Sequence, residues 1–213
     1  TEVVRRSDSQ GAIRNTGSAL DLALVGPGHF VYADPTGTGA NSTAEPSYIY
    51  SRAGQIQITP TGALVDRQSG RPLMALSGGK LQEVNLSTAV NGDLSQVQSL
   101  SVDTKGVVSV ARTDGTVKPI GVLAIAHFNN EDGLKTQGGA AFTETDGSGP
   151  ALLGRANTAG LGSIQQGAVE EANVDMTSEL LRMIRAQQAY NGNARALQTG
   201  SEMLRSSIEN LIH

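Results

Sequence analysis

His29, His127 and His213 are the only imidazoles in the chain, and each stands alone. No HExxH pattern sets two ring nitrogens and a glutamate on one helix face, as a zinc hydrolase would require. His29 follows Gly26-Pro27-Gly28 and adjoins Phe30, the setting of a turn or strand-edge side chain. Ser77, in Ala75-Leu76-Ser77-Gly78-Gly79, lacks the first glycine of a nucleophile elbow, and Gly78-Gly79-Lys80 lacks the upstream glycine of a phosphate-binding loop. Both read as turns. Gly26-Pro27-Gly28 is followed by strand-like residues where a dinucleotide fingerprint demands a helix, so it reads as a strand connection. Glu131-Asp132 and Glu170-Glu171 place carboxylates side by side, but in polar, turn-prone surroundings without further ligands, and read as solvated charge. Asn41-Ser42-Thr43 and Asn85-Leu86-Ser87 fit a glycosylation sequon too short to carry weight. The expectation is a non-enzymatic protein with no catalytic, cofactor-binding or metal-ligating set and no cofactor.

Composition narrows the remaining classes. With no cysteine there are no disulfides, thiolate zinc sites or cysteine nucleophiles, which suits a chain passing from a reducing to an oxidising compartment. Net charge is −4, with Lys and Arg interspersed among Asp and Glu, so no basic face is available to neutralise phosphates and nucleic acid is not an expected partner. No run of about 18 apolar residues exists, and Thr1 to Ser9 is too polar for a signal peptide; membrane insertion is not expected. Aromatic residues make up only 3%, so cores must be mainly aliphatic.

The elements that must position these residues fall into two kinds. From Leu20 to Phe142 the chain reads as short, β-branched or alternating runs separated by Gly, Pro, Asn and Asp. Strands are expected at Leu20 to Val25, Phe30 to Ala33, Tyr48 to Arg52, Gln55 to Thr59, Ser99 to Asp103, Val107 to Arg112 and Val122 to His127. Pro60-Thr61-Gly62 and Asp114-Gly115 supply turns. Asp34 to Pro46 reads as a polar surface loop, and 132–166 as an irregular, Gly-rich connection. The fold class expected is a mainly β body of short antiparallel strands, 1–172, plus one long C-terminal α-helix, 173–213.

The helix carries the strongest pattern. From Asp175 to Ile212 there is no proline, and Asp175 can cap the N-terminus. Steps of four and three give Met176, Leu180, Met183, Gln187, Tyr190, Ala194, Leu197, Ser201, Leu204, Ile208 and Leu211, with Ile184 widening the stripe. A 3.5-residue period held this long is a coiled-coil seam. A stripe more commonly lies on its own domain, but nothing else here reads as a helix of comparable length. The apolar members, Met176, Leu180, Met183, Ile184, Tyr190, Ala194, Leu197, Leu204, Ile208 and Leu211, are therefore expected to pack against another subunit or an upstream segment. Gly192 and Gly200 mark either close approach of that neighbour or tolerated weak positions.

Two stretches resemble bacterial flagellar rod and hook proteins. The first runs Gly11-Ala12-Ile13, Ala19-Leu20-Asp21-Leu22-Ala23-Leu24, Gly26-Pro27-Gly28-His29-Phe30-Val31, Tyr50-Ser51-Arg52-Ala53-Gly54 and Gly62-Ala63-Leu64-Val65. The second runs Gly167-Ala168-Val169-Glu170-Glu171-Ala172-Asn173-Val174-Asp175 into Glu179-Leu180, Met183-Ile184, Ala186-Gln187-Gln188-Ala189-Tyr190, Ala194 and Met203-Leu204. Within the family, Phe128 to Leu134 and Gly149 to Gly154 look most like hook protein, with rod proteins next. The sequence departs from the family pattern in lacking its N-terminal helix, which the resemblance leaves as either a missing or disordered segment or a trimmed chain.

That resemblance implies a structural subunit that polymerises with copies of itself into the tubular hook or rod and transmits torque. It would adjoin rod, hook or junction proteins. It would be exported without a cleaved signal peptide through the flagellar export apparatus and assembled under a cap, residing in the hook outside the cell or the rod crossing the periplasm. The alternative is a secreted β-domain binding module with a helical dimerisation stalk.

Overall fold

The structure, a computed structural model, describes residues 9–34, 47–90, 92–158, 160–173 and 176–211, with the side chains of 178 and 206–211 outside the description. The loop expected at Asp34 to Pro46 and the cap expected at Asp175 therefore lie outside the described residues, Asp34 itself excepted. Among the described residues, sixteen strands precede one long α-helix. They are β1 (Ile13–Asn15), β2 (Leu22–Val25), β3 (His29–Ala33), β4 (Tyr48–Ser51), β5 (Ile56–Ile58), β6 (Leu64–Asp66), β7 (Met74–Ser77), β8 (Lys80–Glu83), β9 (Val97–Val102) and β10 (Val107–Arg112). There follow β11 (Val117–His127), β12 (Lys135–Gly138), β13 (Ala141–Thr143), β14 (Leu152–Arg155), β15 (Ser163–Gln166), β16 (Ala168–Glu170) and α1 (Met176–Leu211). Every strand pairing is antiparallel, as the expected fold class requires. The chain divides into two units, Thr1–Ala172 and Asn173–His213.

A ten-stranded sheet runs β12-β13-β4-β3-β11-β10-β9, with β14 and β7 also on β11 and β8 on β7. β11 is its spine. Leu123, Ala124, Ile125 and Ala126 are each 0% exposed, which means the sheet is covered on both faces there. Side chains alternate across a strand, and the two cores sort accordingly. Leu123 and Ile125 join Phe30, Tyr32, Leu22, Leu24 and Leu64 on one side; Ala124 and Ala126 join Val31, Tyr50, Met74 and Phe128 on the other. Each fully buried Leu or Ile contributes about 1.5–3 kcal/mol relative to an exposed one.

β11 begins five residues earlier than the sequence suggested, because Pro119 falls where β10 shifts register between Val108 and Ser109. A proline is tolerated at such a bulge. Gly78 and Gly79, at φ 58° and 82°, make the two-residue turn between β7 and β8, as a primed hairpin turn needs. Asp114 closes the β10–β11 hairpin by accepting from the Thr116 hydroxyl and amide, and those bonds hold its carboxyl below the usual range.

The stretch read as an irregular connection instead carries β12, β13, β14 and β15. These strands are three or four residues long, too short for alternation to show. Three of them are held by remote partners, β13 by β4, β14 by β11 and β15 by β2, while β12 pairs with β13. At the end of β15, the Gln166 side-chain amide accepts from the Val102 N–H at 3.1 Å and donates to the Leu100 carbonyl at 3.0 Å, occupying backbone groups of β9 at the sheet's end.

Candidate functional site

Helix α1 holds 36 residues, about 54 Å of length at 1.5 Å per residue. Its apolar stripe is open: Met176 is 70% exposed, Leu180 53%, Met183 57%, Ile184 48%, Tyr190 76%, Leu197 76% and Leu204 68%. Ala194 is half-buried. The side chains of Ile208 and Leu211 lie outside the description. Glu179 accepts from Arg182 at 3.0 Å, one turn along the helix. A Cβ added at Gly192 or Gly200 would meet nothing within 4 Å, so no described neighbour within the chain requires glycine at either position.

The second arrangement joins the two stretches that carry the family pattern. β1 pairs with β16, setting Ile13 opposite Glu170 and Asn15 opposite Ala168. Gly11 approaches so closely that a Cβ would lie 1.7 Å from the Glu171 carbonyl oxygen. Its amide donates to Glu170 Oε1 at 2.9 Å. Glu170 Oε2 accepts from Arg52 Nε at 2.9 Å, and the guanidinium's other nitrogens donate to the carbonyls of Gly28 at 3.2 Å and Gly26 at 3.1 Å. Gln10 adds a bond to the Leu24 carbonyl and accepts one from the Gly26 amide. Arg14 pairs with Glu171 at the surface. This ribbon, where the described chain enters and leaves the β body, is its neck.

Glu170 is thus not the solvated charge its sequence neighbours suggested: its side chain is only 11% exposed and its partner is 22% exposed. Arg52 and Glu170 are both legible as residues, but their pairing is not, since they are separated by 118 positions. The other chemistry-bearing residues disperse. His29 is buried at the start of β3 between Phe128 and Phe142, each edge-on at about 6 Å between ring centroids. Ser77 ends β7 at a hairpin, and His127 Nδ1 lies 3.8 Å from Glu131. Among the described residues no three His, Asp or Glu side chains gather as metal ligands, and no helix is long and apolar enough to cross a membrane.

Residues 165–211, the neck's exit strand and the helix, match the family described as flagellar basal body rod FlgEFG protein C-terminal. The chain is 32% identical over 201 residues to the flagellar basal-body rod protein FlgG of Buchnera aphidicola subsp. Baizongia pistaciae, covering 93% of this chain and 68% of that protein. The chain belongs to the flagellar rod and hook protein family. The Bacillus subtilis rod protein FlgG is 30% identical over 94% of this chain and 68% of its own length. The Escherichia coli hook protein FlgE is 27% identical over 78% of this chain and 46% of its own length. As a member of this family the chain is a structural component of rod or hook type. Both the open helix stripe and the neck lie in segments that carry the family pattern.

Proposed function

We propose that this protein polymerises with copies of itself into the tubular axial structure of the flagellum and transmits torque along it, adjoining other rod, hook or junction proteins. The observation that carries the reading is the α1 stripe. Seven large apolar side chains of the stripe, Met176, Leu180, Met183, Ile184, Tyr190, Leu197 and Leu204, are 48–76% exposed in the single chain, whereas helical stability in proteins comes mostly from packing such a face. In this reading Met176, Leu180, Met183, Ile184, Tyr190, Ala194, Leu197, Leu204, Ile208 and Leu211 pack against helices of neighbouring subunits, in coiled-coil fashion. Identical head-to-tail contacts that do not close into a ring generate a helical array. Export through the flagellar apparatus without a cleaved signal, and assembly under a cap, belong to the same proposal.

A rod-type subunit is favoured over the hook subunit that Phe128 to Leu134 and Gly149 to Gly154 suggested, because the rod relatives match over 68% of their length and the hook protein over 46%. Leu197→Glu and Leu204→Glu should each abolish filaments of the full-length gene product in electron micrographs while the β body keeps its thermal transition. Normal filaments from either variant would remove the seam from the account.

A further inference from the structure

We propose that Arg52 is the positioning residue that locks the neck, through Glu170, so that twist borne by the β16 exit strand passes into the β body; the mechanical half of this rests on the polymer reading above. The ribbon β1–β16 has only two strands and three residue pairs, and a two-stranded ribbon of that length is not stable by itself. It must be anchored at both ends.

The inner anchor is backbone. Gly167 donates to the Asp21 carbonyl at 2.8 Å, and the Thr16 and Gly17 amides donate to the Gly167 carbonyl at 2.7 and 3.0 Å. The outer anchor is the side-chain relay. It runs from the carbonyls of Gly26 and Gly28 through the Arg52 fork to Glu170, and from Glu170 to the Gly11 amide. Four chain segments meet there: the β2–β3 connection, the residue after β4, the exit strand and the approach to β1. The planar guanidinium serves three directions at once. A lysine ammonium, a point charge on a flexible stem, cannot reproduce that fork. The surface pair Arg14–Glu171, with side chains 61% and 48% exposed, contributes little.

Hydrogen exchange on the soluble full chain tests the lock, and filament stiffness tests its purpose. Arg52→Met, Arg52→Lys and the near-isosteric Glu170→Gln are compared with wild type. Arg52→Met should speed exchange in residues 11–15 and 168–171 by about tenfold, with β3 and β11 still protected, because local opening is separable from global unfolding. Arg52→Lys should fall nearer to Arg52→Met than to wild type, and Glu170→Gln should loosen the same residues. Filaments of the loosened variants should still form but show a shorter persistence length.

Unchanged exchange at the ribbon in both Arg52→Met and Glu170→Gln would overturn the lock. Exchange rising equally in ribbon and core would reduce Arg52 to a folding residue. A loosened ribbon with wild-type persistence length would overturn the mechanical role. Wild-type chains that never polymerise would instead sink the assembly reading, while the exchange comparison still decides the lock.

Discussion

At Gly54 one methyl group decides whether the body closes. A Cβ there would lie 2.1 Å from the Leu22 carbonyl oxygen and 2.9 Å from the Phe30 ring. The Leu22 amide is itself bonded to the Gly54 carbonyl at 2.9 Å, so neither backbone can move aside alone. Gly54→Ala is expected to cost about 3 kcal/mol, read as a lowered urea midpoint at unchanged slope. The sequence shows that Gly54 follows Arg52-Ala53 but not that the connection between β4 and β5 passes against β2 there. The same holds for Glu170, whose neighbours in sequence are polar while its neighbours in space are Arg52 and the Gly11 amide. Residue roles set by remote partners were the least legible part of the site.

At the scale of elements, legibility followed length and period. β10 was read with its boundaries intact because Val108 and Val110 alternate toward one core. The single long helix was legible for the same reason, with a period sustained over many turns. β12 to β15 were not, since each is only three or four residues long; β13, β14 and β15 are stabilised by strands far away in sequence, and β12 hangs on β13 alone. In α1 the two glycines remain a choice between a close neighbour and tolerated weakness. Gly192→Ala and Gly200→Ala should each raise the stability of the unassembled helix by about 1 kcal/mol, seen as added helical circular dichroism. If assembly also survives, nothing approaches those positions; loss of filaments with a gain in helix content would place a neighbouring backbone against them.

The whole β body is built as two cores on one sheet, and its tyrosines report whether they act as one. Tyr32 lies in the core with Leu123, Tyr50 in the one with Ala124. Burial raises both phenols well above the ordinary tyrosine value, with Asp66 adding to Tyr32 and Glu144 to Tyr50. A raised folded-state value means the neutral phenol is favoured by folding. That contribution is complete below about pH 10, the unfolded tyrosine value, and is lost as pH rises from there toward the folded values. The two residues should therefore ionise together with unfolding in alkali, followed by tyrosinate absorbance with Tyr32→Phe and Tyr50→Phe as assignments. Two separate steps would show that the cores come apart independently.

The neck also has a topological consequence. Because β1 enters and β16 leaves as antiparallel neighbours, with the Glu171 amide bonded to the Ala12 carbonyl at 2.8 Å, everything between them is one closed excursion from the chain. Two cuts a few ångströms apart would excise it whole, and any other domain ending in the same ribbon could be spliced into its place. The β body is joined to the rest of the chain as a single replaceable insert.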